Sequence, residues 1–161
     1  MTGRHLVAVL LLVLTGCSSG DPLAAADCDP LERPQLQEGS HLLGDNEPPV
    51  PYSSSPPTSG WHSSGRPLDP GTYLDEVSEP QQVRVLEQGG VVVTYDPALP
   101  DDEVEAYQRL PEQVDGVVVS PYADASAPVT LTAWGLLQRC ESVTAAEVDA
   151  FHEAHARTPA H

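Results

Sequence analysis

The most chemically loaded stretch of the chain is Gly60-Trp61-His62-Ser63-Ser64-Gly65, a glycine-bounded loop with an imidazole and two hydroxyls. His62 suits two tasks there, metal ligation or general-base work, since imidazole titrates near neutrality. A nucleophilic Ser59 or Ser63 would need that base and an oxyanion hole. No Gly-x-Ser-x-Gly elbow follows a strand to supply them. The plainer reading has His62 and Ser59 bonding loop backbone. Glu87, within Val85-Leu86-Glu87-Gln88-Gly89-Gly90, is a second candidate, and its plainer role is to pair with Arg84. His152 and His155 have the i, i+3 spacing of a helix-borne metal site, with His161 beyond. A solvated terminal helix explains them more simply. No Cys-x-x-Cys, P-loop or dinucleotide fingerprint is present, so thiol-redox, nucleotide and nicotinamide chemistry have no support.

These residues need elements to position them. Residues 28–79 hold Pro48-Pro49-Val50-Pro51, Ser53 to Gly60 and Pro67 to Gly71. Proline lacks an amide proton and glycine and serine favour turns, so long helices and central strands do not fit here. Such a stretch is uncommon inside a small domain. Tyr52, Trp61, Tyr73 and Leu74 give it something to bury, so it is expected to wrap the core as an ordered loop. Residues 80–158 read as the core. Val83–Leu86 and Val91–Tyr95 are expected strands, with Gly89-Gly90 between them as a tight hairpin or a bulge. Asp101-Asp102 open a helix, where their carboxylates can cap amides and oppose the dipole. Val104, Tyr107 and Leu110 form its apolar stripe. Val117–Ser120 and Val129–Trp134 are further strands. Thr144-Ala145-Ala146-Glu147 is a capping box that opens a last helix, with Val148, Phe151 and His155 on one face. The expectation is an α+β fold: a small, mostly antiparallel sheet of about four strands with two helices.

Charge narrows the function. The chain has 161 residues, 24 acidic against 7 basic, and a net charge of −17. Every basic residue is Arg. An acid-dominated surface repels phosphate backbones, which argues against nucleic-acid partners. It also repels anionic lipid, so any membrane attachment must be covalent or apolar.

The N-terminus points to such an attachment. Met1-Thr2-Gly3-Arg4-His5 precedes a nearly unbroken apolar run from Leu6 to Leu14. That run is too short to span a bilayer core, which takes roughly 20 residues, and it reads as a signal peptide over 1–16. Leu14-Thr15-Gly16-Cys17 resembles the bacterial lipobox. The resemblance implies a diacylglyceryl group on Cys17, cleavage just before it, and acyl chains of the palmitate kind holding the chain to the membrane. Two chains give stable anchoring. Residues 17–27 would then be a flexible tether, 28–158 a single domain and 159–161 a tail. With Cys17 so used, Cys28 and Cys140 remain, an even pair in an exported protein. They are expected to form a disulfide, the other reading being two free buried thiols. The chain-entropy model gives such a long loop about 4–5 kcal/mol.

The order Tyr52…Pro56-Pro57-Thr58-Ser59-Gly60-x-His62, Gly71-x-Tyr73, Leu86-Glu87-x-Gly89, Val91-Val92-Val93-x-Tyr95 and Leu131-Thr132-Ala133-Trp134-Gly135 resembles the bacterial family of domain of unknown function 3105. Members are exported or membrane-anchored, are common in actinobacteria, and have no assigned activity. The family usually shows His-x-Leu-Glu-His-Gly before its central strand. Here Arg84 stands at the first of those histidines and Gln88 at the second. A fixed positive charge repels a cation, and a Gln carbonyl replaces imidazole poorly for a transition metal. The resemblance therefore implies that any His-rich site of the family is lost in this chain.

The leading expectation is a non-catalytic lipoprotein on the outer face of the cell membrane. It would bind or scaffold an envelope protein or ligand, without a cofactor. Tyr52, Ser59, Gly60, His62, Arg84, Glu87 and Gln88 are its candidate binding residues. The alternative is a metal-binding or metal-dependent redox protein of the envelope that holds a transition metal ion with His62 and Glu87. A third reading is an exported hydrolase.

Overall fold

The computed structural model describes residues 27–44 and 46–156. The expected signal peptide, Cys17, the expected tether up to residue 26, and the tail with His161 lie outside them. No helix among the described residues is long and apolar enough to cross a membrane.

The fold is α+β, built on a five-stranded mixed sheet in the order β3-β5-β4-β6-β7. Its strands are β3 (Gly71–Thr72), β4 (Val91–Tyr95), β5 (Val117–Pro121), β6 (Val129–Ala133) and β7 (Leu136–Cys140). β5 runs parallel to both β3 and β4, whereas β6 is antiparallel to β4 and to β7. A second, two-stranded parallel sheet pairs β1 (His41–Leu42) with β2 (His62–Ser63). Three helices complete the core: α1 (Glu79–Glu87), α2 (Asp101–Gln108), followed by a 3-10 turn at Leu110–Glu112, and α3 (Ala145–His155). The sheet is thus evenly divided between parallel and antiparallel ladders, and the described residues form three helices rather than two.

The Val91-Val92-Val93 run is buried at every position. A strand covered on both faces needs no polar alternation. Val91, Val93 and Tyr95 pack with Tyr107, Leu110, Val148 and Phe151, on the α2 and α3 side. Val92 and Val118 pack with Val85 and Leu86 of α1 on the opposite side.

The segment Val83–Leu86, expected as a strand, is the body of α1. Its buried residues Gln82, Val83, Val85 and Leu86 follow the i, i+1, i+3, i+4 spacing of a helix face, not alternation. Pro80 sits in the first turn, where its missing amide costs nothing. Gly89-Gly90 is neither a hairpin nor a bulge in a ladder; it ends the helix. The Gly89 amide bonds the Leu86 carbonyl at 2.9 Å and the Gly90 amide bonds the Val85 carbonyl at 3.0 Å. That is a Schellman closure, and it sets Gly89 at φ +88°, a conformation glycine adopts without strain.

Two smaller differences follow from the same kind of local chemistry. α2 is capped by Pro100 without a side-chain bond, so Asp101, Asp102 and Glu103 act on its first turn by charge alone. Strand β6 stops at Ala133, because Trp134 and Gly135 turn the chain into β7, with Gly135 at φ +71°. Thr144 and Glu147 form the expected capping box on α3.

The proline-rich segment is held along the sheet. Asp29 and Glu32 bond the backbone of Arg139 and Leu137, covering the outer edge of β7. Cys28 and Cys140 are joined by a disulfide.

Candidate functional site

The Pro56–Gly60 turn is the foundation of the site, and all five residues are buried. Ser59 Oγ accepts the Gln37 amide at 3.0 Å, and the Thr58 carbonyl accepts the Gly135 amide at 2.9 Å. Tyr52 donates its hydroxyl to the Trp61 carbonyl at 2.6 Å. Burial and the Glu79 charge push the Tyr52 pKa well up, which keeps that donor protonated. The two loop segments meet at glycines. A Cβ on Gly39 would stand 2.0 Å from the Gly60 carbonyl carbon. This close approach lets β1 lie beside β2, with His41 directly opposite His62.

His62 is 4% exposed, in a molecule whose other described histidines are not buried. Its Nδ1 lies 2.9 Å from the Gly60 carbonyl. A carbonyl can only accept, so Nδ1 carries a proton and Nε2 is the ring position left to face the site. That Nε2 makes no hydrogen bond, although Glu87 Oε2 lies 3.3 Å from it. The distance is within ion-pair range but the alignment is not that of a hydrogen bond. The His41 ring stands edge-on to His62, with centroids 4.8 Å apart.

Helix α1 supplies the other wall. Arg84 and Glu87 are three residues apart, so one helix face carries both. Arg84 Nη1 pairs with Glu87 Oε2, and its Nε donates to the Gly65 carbonyl at 3.1 Å. Gln88 Nε2 reaches the same Oε2 at 3.5 Å. Burial alone would raise the Glu87 pKa. The Arg84 bond, the charges of His62 and Arg84, and the Gln88 bond outweigh it and hold the carboxyl below its ordinary value.

The structure therefore brings His62, Arg84, Glu87 and Gln88 together, with Tyr52, Ser59 and Gly60 as the scaffold beneath. It adds His41, which the sequence reading had not singled out. Among the described residues, His41, His62 and Glu87 form a group whose ligand atoms all lie within 4.8 Å of one another. The two serine hydroxyls considered as nucleophiles are engaged with backbone: Ser59 with Gln37 and Ser63 with the Gly65 amide at 3.2 Å. The C-terminal histidines pack instead. The ring of His155 stands on Phe151 at 4.7 Å, and His152 lies over Gly116. A cleft of about 920 Å³ opens nearby, between residues 46–55 and the start of α1. It takes in Tyr52 and Ser63, but not His62 or Glu87, so the polar cluster and the cleft are separate features.

Among curated proteins and among solved structures, nothing matches this chain. A family model described as a protein of unknown function (DUF3105) matches residues 45–161, most of the sequence, and the chain belongs to that family.

Proposed function

We propose that this protein is an exported, acyl-anchored lipoprotein of the cell envelope whose domain binds a transition-metal ion between β2 and α1, as a binding module without turnover of a substrate. The observation that carries the metal reading is His62 Nε2, which is buried, aimed at Glu87 and without a hydrogen bond. Leaving a buried ring nitrogen without a hydrogen bond costs about 1–3 kcal/mol, and a metal ion would recover that cost.

Two features support the fit. A tetrahedral centre with bonds of about 2.1 Å sets its ligand atoms roughly 3.4 Å apart, and His62 Nε2 lies 3.3 Å from Glu87 Oε2. A ligating histidine also donates its other ring N–H to a carbonyl or carboxylate, as His62 does to Gly60. Two imidazole nitrogens and one carboxylate suit zinc, copper, nickel or iron(II). The same residues do not favour hydrolysis, because His62 hydrogen-bonds neither Ser59 nor Ser63, whose oxygens accept the Gln37 and Gly65 amides.

Anchoring rests on Leu14-Thr15-Gly16-Cys17. Thermal-shift assays across divalent metals test the binding part. A melting-temperature rise in the wild-type chain that His62→Ala abolishes supports it, and no metal-dependent shift refutes it. Membrane fractionation tests the anchor: Cys17→Ala should move the protein to the soluble fraction, and retention in the membrane would refute lipidation.

A further inference from the structure

We propose that Arg84 is a built-in competitor for the metal: it holds Glu87 by the oxygen the ion would take, so ion binding must expel it and release the Gly65 carbonyl. This rests on the metal reading and adds its regulation.

The argument starts at one atom. Glu87 Oε2 is the oxygen that faces His62 Nε2, and it is also the oxygen that Arg84 Nη1 holds. A guanidinium cannot shed its charge at any ordinary pH. A divalent ion between His62 and Glu87 would therefore sit beside a fixed positive charge on a shared ligand. Like charges at such distances in a half-buried site repel strongly. The arginine stem can carry its head outward to solvent, whereas His62 is fixed by Gly60 and by burial.

Arg84 is tied to a second place. Its Nε donates to the Gly65 carbonyl at 3.1 Å, across from helix to loop. The loop beyond carries the exposed Arg66–Asp69 pair and the Asp69 carbonyl that accepts the Tyr73 hydroxyl at 2.9 Å. When Arg84 leaves Glu87, the bond to Gly65 goes with it. Occupancy of a site floored by His62 would thus be reported at residues 64–69. The loss of a cross-element bond raises local opening there.

The test is Zn²⁺ titration of the full chain in detergent, comparing wild type with Arg84→Met and Arg84→Gln. The first keeps the stem and the second keeps a donor. Circular dichroism verifies folding. Either folded variant should bind Zn²⁺ at least tenfold more tightly than wild type, still dependent on His62. In wild type, Zn²⁺ should speed hydrogen exchange over residues 64–69, a readout that needs no variant. In Arg84→Met, exchange there should be the same with and without the ion. If wild type binds Zn²⁺ through His62 while the variants bind equally or more weakly, or the loop exchange does not move, Arg84 is a structural strut and this inference is overturned with the metal reading intact. If neither wild type nor variants bind, the metal reading itself falls.

Discussion

His41 lies directly opposite His62 across the parallel β1–β2 pair, and the two rings meet edge to face at 4.8 Å. Their environments differ: His41 is exposed and His62 is buried. Replacing His41 should therefore leave the fold nearly untouched, as surface substitutions usually change stability by no more than about 0.5 kcal/mol. It should still weaken metal binding by tenfold or more. Paired melting curves and metal titrations of His41→Ala check this, and unchanged affinity would exclude His41 as a ligand.

Gly39→Ala should damage the site without touching a ligand. The new Cβ would fall 2.0 Å from the Gly60 carbonyl carbon, and backbone on both sides cannot yield cheaply. The β1–β2 pair should separate and take His41 away from His62. Metal affinity should drop at least as far as in His41→Ala, and melting should come earlier. A variant with wild-type affinity would show that β1 is not what positions His41.

Much of the fold is legible in the sequence, and the reasons for the rest are physical. The Val91-Val92-Val93 run, the Thr144 capping box and the Val117 and Val129 strands are where local pattern and packing agree. Val83–Leu86 misleads because Val-Arg-Val alternates like a strand while its helix buries two adjacent pairs, Gln82-Val83 and Val85-Leu86. The corrective signal is present: Pro80 just inside the start and Gly89 just past the end mark a helix. With that helix drawn, the Arg84–Glu87 pair follows from its three-residue spacing. His41 could not be read this way. It stands in a plain Ser40-His41-Leu42 stretch, and only a two-residue pairing with a strand 21 positions on brings it to His62. The family match begins at residue 45, beyond His41, so it offers no pointer either.

The Cys28–Cys140 disulfide ties the first described residues to the end of β7 across 112 positions. The chain-entropy model gives a closure of that length about 4–5 kcal/mol. Urea denaturation of the Cys28→Ser, Cys140→Ser double variant should show a loss approaching that size, with a near-normal near-ultraviolet spectrum before the transition. A loss below about 1 kcal/mol would mean that the Asp29 and Glu32 backbone bonds hold the edge of β7 unaided.

Alkaline pH should destabilise the domain through Tyr122. Burial pushes its pKa up. The Ser55 bond opposes this, and the Glu79 bond and the Glu79 and Asp124 charges add to the rise. The folded pKa lies above the ordinary value of 10.0. Its contribution is therefore complete below pH 10 and declines above it, because the unfolded chain ionises first. Tyr122→Phe should flatten that decline and cost about 1 kcal/mol at neutral pH, from the lost bonds to Ser55 and Glu79. Denaturation midpoints from pH 8 to 11 for both proteins would show whether the slopes differ; identical slopes would rule Tyr122 out as the source.

The most direct test of the account is calorimetric titration of the full chain, purified in detergent without a histidine tag, with Cu²⁺ and with Zn²⁺ beside His62→Ala. The account predicts one ion per chain at submicromolar affinity in the wild type. It predicts loss of that binding in a His62→Ala protein that still gives the wild-type circular dichroism spectrum. Absence of binding, or weak binding that His62→Ala leaves unchanged, would contradict it and leave His62 as a buried support of the Pro56–Gly60 turn.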